Sequence, residues 1–245
     1  MLMRPPLLGP ALGLAALAAG VVGLAALTGV QGAKASDAAH PAVVELFQSQ
    51  GCSSCPPANA NLIALSQRPD VLALSFGVTY WDQLGWKDTF ASPQYTARQW
   101  DYAHALRHDN VFTPQVVVNG RVDGVGAQPG EIEALMRRAE RTAPGPAVTI
   151  GASDVVVGAA PAPARSADVW LVRYDPRIVQ VAIRRGENGG RTLPHRNVVR
   201  ELVRLGGWSG PAARFSLPPS RDPALRAAVL VQTAGAGPIL AATKG

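Results

Sequence analysis

The chain has 245 residues, of which 47% are hydrophobic and 16% are charged, a composition typical of a globular protein with a sizeable core. Its formal net charge is +6, and loss of residues 1–35 would remove Arg4 and Lys34 but no acidic residue, which leaves +4. A positive balance of this size does not indicate a nucleic-acid partner. The sequence also contains neither a phosphate-binding glycine loop nor a serine-hydrolase elbow.

The first 35 residues differ in composition from the rest of the chain. An apolar run extends from Pro5 to Val30, and Ala33-Lys34-Ala35 is a small-x-small pattern that a signal peptidase could cut. The run is longer than the ~7–15 residues of a typical signal-peptide core and reaches the ~20 residues that span a membrane, so residues 5–30 could also stay as an anchor. Both alternatives predict a periplasmic or secreted protein, with membrane contact only if the segment is uncleaved.

Residues 36–42 are predicted to be a linker, and strand and helix patterns alternate over residues 43–146. The predicted order is strand, helix, strand, helix, strand, strand, helix, over Val43–Phe47, Cys52–Gln67, Val71–Val78, a helix opened by Ser92-Pro93, Val116–Val118, Arg121–Asp123 and a helix from Pro129. The first two strands need a crossover and are expected to run parallel. Asn119-Gly120 predicts a hairpin between the last two strands.

Residues 147–245 contain many short strand candidates between turn signals. These candidates are Val148–Ile150, Asp154–Val157, Val169–Tyr174, Ile178–Ile183, Phe215–Leu217, Val229–Val231 and Ile239-Leu240. Such spacing is typical of a β-sandwich and predicts a β-rich C-terminal domain. Residues 198–205 are ambiguous, because Arg196, Arg200 and Arg204 would share a helix face while the neighbouring residues favour a strand.

The only two cysteines, Cys52 and Cys55, form a C-x-x-C pair between the first predicted strand and the first predicted helix. Two thiols at this spacing can close into a disulfide. The helix N-terminus favours a negative charge and is expected to stabilise a Cys52 thiolate. We therefore predict that Cys52 is the attacking thiol, that Cys55 resolves the mixed disulfide, and that the hydroxyls of Ser53 and Ser54 can donate to the sulfur.

The cysteine pair also admits other interpretations. Soft thiolates select copper(I), so a copper-handling protein is an alternative. A binding module without redox activity is another. His104 and His108 lie four residues apart on a predicted helix, but they are interpreted as surface residues rather than as metal ligands. We predict no metal site, and no cofactor beyond a redox-active Cys52–Cys55 disulfide.

A second motif, Thr113-Pro114-Gln115 followed by an apolar strand, resembles the cis-proline segment of the thioredoxin-like superfamily. The resemblance covers roughly residues 42–141, where both motifs occur in the order found in that superfamily. It implies an α/β, thioredoxin-like domain over residues 43–146, in which a cis Pro114 faces the cysteines and the Thr113 backbone pairs with an extended substrate. An ordinary trans proline at a strand start is the alternative.

Three further residues are assigned to the site. Glu45 resembles the buried carboxylate that thioredoxins place near the inner cysteine as a proton acceptor, although a solvent-facing Glu45 on an alternating strand is equally consistent with the pattern. Trp81 and Trp86 are assigned to the substrate groove beside the cysteines, with packing of their loop as the alternative.

The chain departs from thioredoxin itself at Gly51, where thioredoxin has tryptophan, and at the Ser53-Ser54 dipeptide. The patterns E-L-F-Q-S-Q-G-C-S-S-C-P-P-A, Y-W-D-Q-L-G-W-K-D-T-F and T-P-Q together resemble the DUF1223 family of exported bacterial proteins. That family name implies no substrate. We predict an exported oxidoreductase that exchanges disulfides with the thiols or disulfides of other proteins.

Overall fold

The computed structural model describes residues 36–141 and 145–245. The predicted export segment, residues 1–35, lies outside these ranges. No helix in the described ranges is both long enough and apolar enough to cross a membrane.

The described ranges contain three helices and thirteen strands. The helices are α1 (Cys55–Leu65), α2 (Pro93–Leu106) and α3 (Pro129–Arg138). The strands are β1 (Ala42–Gln48), β2 (Val71–Gly77), β3 (Gln115–Val118), β4 (Val122–Gly124), β5 (Val148–Ile150), β6 (Asp154–Val157), β7 (Ala167–Asp175), β8 (Val179–Ala182), β9 (Thr192–His195), β10 (Val198–Trp208), β11 (Ala213–Ser216), β12 (Arg226–Thr233) and β13 (Ile239–Lys244).

Eight of these strands form one mixed sheet in the order β13-β12-β7-β10-β2-β1-β3-β4. As predicted, β1 and β2 run parallel, and β3 and β4 are antiparallel. β5, β6 and β11 form a three-stranded sheet, and β8 and β9 form a separate hairpin. The protein is therefore a mixed α/β structure built around one large sheet.

Strands from both sides of residue 146 share the large sheet. The junction is a parallel bridge between Val198 of β10 and Ser75 of β2. The Ser75 N–H donates to the Asn197 carbonyl at 2.9 Å, and Asn197 Nδ2 donates to the Ala73 carbonyl at 2.7 Å. The C-terminal strands thus extend the sheet of the N-terminal strands, whereas the sequence predicted a sandwich-like unit of their own.

Sheet-on-sheet packing is present in one region. Buried apolar side chains of the three-stranded sheet, such as Val155 and Val157, pack against Val169, Leu171 and Val229 of the large sheet. One layer of this packing therefore belongs to the sheet that also carries β1 and β2. The spacing of the short C-terminal strands indicated this packing, but it could not indicate which strands supply the second layer.

The two faces of the large sheet carry different helices. Successive side chains of a strand point to opposite faces, so Leu46 and Phe47 of β1 belong to different core clusters. Phe47 lies on the α2 face, where its ring contacts those of Phe76 and Tyr102. Leu46 lies on the other face, in the core that α1 and α3 cover. β1 and β2 are buried along their whole length, as expected for central strands.

The predicted first helix begins later than expected. α1 starts at Cys55, with Ser54 as its N-cap residue. Cys52 lies in the preceding turn, where its N–H donates to the Ser49 carbonyl at 3.1 Å. The second helix begins as predicted, because Ser92 Oγ accepts the N–H of Gln94 at 3.3 Å.

One further element prediction is changed, one ambiguity is resolved and one strand is added. The β3–β4 connection has three residues rather than two, because Val118 pairs with Val122. The ambiguous residues 198–205 lie in strand β10. Strand β9 was not predicted, because Pro194 cannot donate a backbone hydrogen bond and therefore argues against a strand.

A buried ion pair joins β1 to α2. Arg98 Nε and Nη2 donate to the two carboxylate oxygens of Glu45 at 2.8 Å and 3.1 Å. The Tyr102 hydroxyl also donates to Glu45. Arg98 reaches β12 as well, where Nη2 donates to Gln232 Oε1 at 3.1 Å. This cluster links the first strand of the sheet to one of the last.

We expect Glu45→Gln and Arg98→Met each to lower the free energy of unfolding by about 3–5 kcal/mol, because each leaves the other partner buried without its counter-charge. The double variant should lose clearly less than the sum of the two single losses. Urea unfolding measures all three values. The matched control is Glu133→Gln, which breaks the half-exposed pair with Arg68 and should cost less than about 1 kcal/mol. Additive losses at Glu45 and Arg98 would contradict the coupling.

Candidate functional site

Cys52 and Cys55 form a disulfide at the beginning of α1, with their Cα atoms 5.5 Å apart. The pair follows β1 directly, and the Cys55 N–H donates to the Cys52 carbonyl at 3.2 Å. Closure of the C-x-x-C pair was predicted from its spacing. The burial of the pair was not predicted: Cys52 is 0% exposed and Cys55 is 1% exposed.

The Thr113–Pro114 peptide bond is cis, as predicted. It lies directly before β3, which pairs with β1. Ser54 Oγ donates to the Thr113 carbonyl at 3.4 Å and lies 3.3 Å from Cys52 Sγ. The two motifs found in the sequence are therefore in contact, although 59 residues separate Ser54 from Thr113.

The two tryptophans assigned to the site lie in the loop of residues 79–91, here called the tryptophan loop. Trp81 Nε1 donates to Thr113 Oγ1 at 2.8 Å. Trp86 Nε1 donates to Gln50 Oε1 at 2.9 Å. Both side chains are half-buried, and each indole N–H is used to hold a segment next to the disulfide or the cis proline. The loop therefore supports the geometry of the site.

The tryptophan loop returns to the end of β2 at Gly77. The Ser92 N–H donates to the Gly77 carbonyl at 3.2 Å. A Cβ atom at Gly77 would lie 2.8 Å from the carbonyl carbon of Phe90 and 2.9 Å from the Ala91 nitrogen. Only glycine permits this close approach of two backbones, so the base of the loop depends on Gly77.

Asp88 of the tryptophan loop is buried beside the segment that leads into the disulfide. Its carboxylate accepts the N–H of Gln50 and the N–H of Phe90, both at 2.7 Å. Gln50 lies two residues before Cys52, so Asp88 fixes the chain that leads into the disulfide. Burial raises the pKa of Asp88 from 3.8 to about 6.

A polar network supports the Thr113–Pro114 segment from α2. Gln99 Nε2 donates to the Phe112 carbonyl and to Gln115 Oε1, each at 2.8 Å. Gln115 Nε2 in turn donates to Asp123 Oδ2 at 2.7 Å. Gln99 and Gln115 are fully buried, so these bonds fix the backbone on both sides of the cis proline.

A turn from the C-terminal half is hydrogen-bonded to the backbone of Gln50 and Cys52. This turn joins β8 to β9 and is here called the cap (residues 183–191). Asn188 Nδ2 donates to the Gln50 carbonyl at 3.0 Å and to the Cys52 carbonyl at 2.8 Å. Asn188 is 0% exposed. No sequence signal linked the cap to the cysteines, because the contacting residues lie 136 to 138 positions apart.

The cap also changes the role that was predicted for Ser53. The Ser53 N–H and Oγ both donate to Glu187 Oε2, at 3.0 Å and 2.7 Å. These bonds lower the pKa of the Glu187 carboxyl. Of the two serines between the cysteines, Ser54 lies next to a sulfur as predicted, whereas Ser53 points to the cap.

The structure does not bring Glu45 together with the cysteines. Glu45 alternates with Leu46 along β1 and lies on the α2 face, where Arg98 and Tyr102 bind its carboxylate. α1, which begins at Cys55, covers the opposite face. The expected proton acceptor is therefore a buried ion-pair partner, because strand alternation directs its side chain away from the disulfide.

Of the histidines, His195 of β9 is buried. Burial lowers the pKa of His195 from 6.5 to about 4, and its ring packs edge-on against Phe90 with 5.4 Å between centroids. His108 faces Asp123, with 2.9 Å between Nε2 and Oδ2. Within residues 36–141 and 145–245, no group of three or more His, Cys, Asp or Glu side chains is placed to hold a metal ion.

We expect the stability contribution of Asp88 to depend on pH. Because burial raises its pKa from 3.8 to about 6, its favourable contribution is complete below pH 3.8 and is lost as the pH rises through about 6. The unfolding free energy of the wild type minus that of Asp88→Asn should therefore fall by about 3 kcal/mol across this window.

Denaturant unfolding at several pH values measures this difference. His195 titrates in the opposite sense, since burial lowers its pKa to about 4, but it is present in both proteins and cancels in the difference. Asp109→Asn, at an exposed position, is the matched control and should show a flat difference. If the difference in unfolding free energy between the wild type and Asp88→Asn also stays constant with pH, the raised pKa of Asp88 is wrong.

These features define a mixed α/β protein in which a disulfide at the beginning of a helix contacts a cis-proline segment. The chain belongs to the family described as "Protein of unknown function (DUF1223)", whose family model matches residues 43–232. No curated protein matches the chain.

Two solved structures are similar to the chain. Protein AGR_C_4864 from Agrobacterium tumefaciens, known from an X-ray crystal structure, is 32% identical, with a TM-score of 0.66 over 83% of this chain and 92% of that chain. HBP35 of Porphyromonas gingivalis is 13% identical, with a TM-score of 0.50 over 86% of this chain and 76% of that chain. The second likeness concerns the fold alone.

Proposed function

We propose that this protein is an exported, thioredoxin-like protein that exchanges its Cys52–Cys55 disulfide with the thiols of other proteins. The observation that carries the proposal is the 3.4 Å contact between Ser54 Oγ and the Thr113 carbonyl. This contact joins a disulfide at the start of a helix to the cis Thr113–Pro114 segment.

The proposed reaction begins when an incoming thiolate attacks Cys52 Sγ. The Cys52–Cys55 bond breaks, a mixed disulfide forms with Cys52, and Cys55 leaves as a thiolate that takes up a proton. A second substrate thiolate then attacks the substrate sulfur of the mixed disulfide and releases Cys52. Two substrate thiols are thereby oxidised to a disulfide, and the two cysteines receive the two electrons; the reverse reaction reduces a substrate disulfide.

The beginning of α1 favours the thiolates that this reaction produces. Free backbone N–H groups of the first turn and the helix dipole stabilise negative charge there. Ser54 Oγ lies 3.3 Å from Cys52 Sγ and can donate to a Cys52 thiolate. These two interactions support Cys52 as the reactive thiol and Cys55, the first residue of the helix, as the resolving thiol.

The segment around Pro114 is the proposed binding site for the substrate backbone. Trp81 holds Thr113 by its hydroxyl, and the buried Gln99 holds Phe112 by its carbonyl. An extended polypeptide could pair with the Thr113 backbone beside the disulfide, in the manner of a strand added to an edge. The proposed partner is therefore a protein with a thiol or disulfide in an extended segment.

The proposed location is the periplasm or the cell exterior, since residues 1–35 have the pattern of an export signal. Disulfides persist in such oxidising compartments. Attachment to the membrane is proposed only if residues 5–30 remain uncleaved.

Cysteine variants test the exchange reaction. With a peptide disulfide as substrate, reduced Cys55→Ser should accumulate a mixed disulfide through Cys52, because no resolving thiol remains. Reduced Cys52→Ser should form none, because it lacks the proposed attacking sulfur, the one that lies 3.3 Å from Ser54 Oγ, and keeps only the resolving thiol of Cys55. Mass spectrometry of acid-quenched samples detects the adduct, and a glutathione redox titration of the wild type should give one reversible two-electron transition.

Two outcomes would contradict the proposed exchange reaction, and each would favour a different function. Stoichiometric binding of copper(I) by the reduced cysteines, without turnover of any disulfide substrate, would favour copper handling. Absence of both copper binding and exchange, with Cys52→Ser indistinguishable from the wild type, would leave a binding module.

A further inference from the structure

The disulfide is shielded in a way that matters for the proposed exchange, on which this inference rests. An attacking thiolate must approach one sulfur directly, but Cys52 is 0% exposed and Cys55 is 1% exposed. The surrounding contacts must therefore open before an external thiol can react.

The cap is the element best suited to open. Strands β8 and β9, which flank the cap, form a two-stranded sheet of their own, and among the described strands neither belongs to the large sheet. In contrast, the tryptophan loop holds the other two neighbours of the disulfide by hydrogen bonds to Gln50 and Thr113. The strands next to these residues, β1 and β3, are paired within the large sheet. Opening the cap leaves the core sheet intact.

The base and the tip of the cap are attached differently. At the base, where β9 follows the cap, Asn59 Nδ2 of α1 donates to the Pro194 carbonyl of β9, and Ile183, the first residue of the cap, is 2% exposed. At the tip, the bonds to the disulfide turn come from two side chains, Glu187 and Asn188. A rotation about the base could break the bonds at the tip while the base stays packed.

We propose that the cap is a gate over the disulfide, closed by the bonds of Glu187 to Ser53 and of Asn188 to Cys52, and that Glu187 is its latch. In the closed gate the disulfide is protected from small thiols. A protein partner that displaces Glu187 from Ser53 gains access to Cys52. The gate would thereby select partners that can engage the cap.

The charge of Glu187 couples the latch to the redox state. Glu187 accepts the N–H of Ser53, which is the residue next to Cys52. When the disulfide is reduced, a Cys52 thiolate would compete with the carboxylate for the donors in this turn, and the two negative charges would repel each other. Reduction should therefore loosen the cap, and loss of the Glu187 charge should stabilise the reduced form.

The test uses dithiothreitol as the reductant and measures the rate at which it reduces the disulfide of the oxidised full chain. We expect Glu187→Ala to react about tenfold faster than the wild type, because two charge-assisted bonds to Ser53 are lost. Asn188→Ala should also react faster. Glu140→Ala, at another exposed glutamate, is the matched control and should react at the wild-type rate.

A second readout separates the gate from a general loss of stability. Glu187→Gln keeps an acceptor for Ser53 but removes the charge, so it should shift the glutathione redox equilibrium toward the reduced protein with an unchanged melting temperature. Hydrogen–deuterium exchange should rise in the cap of Glu187→Ala, while exchange in β1 and β2 stays as in the wild type.

The outcomes distinguish the gate from the exchange reaction. If the wild type and the Glu187 and Asn188 variants are reduced at equal rates, and the cysteine variants still trap a mixed disulfide, the gate is wrong and the exchange reaction stands. If no variant forms a mixed disulfide or is reduced while folded, the proposed function itself fails. Faster reduction of the Glu187 variants with unchanged melting temperatures supports the gate.

Discussion

The attachment of β10 to β2 is the constraint on which the rest of the structure depends. It is a short junction, made by the Val198–Ser75 bridge and by the backbone and side chain of Asn197. Through it, the C-terminal strands continue the sheet that β1 and β2 begin. The same junction places β9, which ends two residues before Asn197, beside α1 and so brings the cap to the disulfide.

The site is assembled from four separate segments, and side-chain hydrogen bonds to neighbouring segments join them. Asp88 and Trp86 hold Gln50, Trp81 holds Thr113, and Asn188 holds Cys52. Such bonds are directional, so they fix where each backbone lies more narrowly than apolar contacts would. The large sheet supplies the apolar core, and these polar residues supply the geometry around the disulfide.

Strand alternation places Glu45 on the face of the sheet opposite to α1, so this carboxylate takes part in a buried ion pair and not in the proposed reaction. A carboxylate on β1 close in sequence to the C-x-x-C pair suggested a proton acceptor. Its position on the α2 face instead pairs it with Arg98, and the pair reaches Gln232 near the end of the chain. The buried charges therefore connect distant parts of the sheet, while the proposed reaction depends on the helix N-terminus and Ser54.

Features that depend on neighbouring residues could be predicted from the sequence alone: the closure of Cys52 and Cys55, the Ser92 cap of α2 and the parallel β1–β2 pair. The cis Thr113–Pro114 bond was predicted from the resemblance to the thioredoxin-like superfamily. Only the tertiary structure decided that Glu45 faces Arg98, that Asn188 donates to the Cys52 carbonyl and Glu187 accepts from Ser53, and that strands after residue 146 join the first sheet. The reason is physical. Local spacing limits which atoms can meet within a turn or strand, whereas contacts between residues 53 to 136 positions apart depend on how the sheet faces and edges pack.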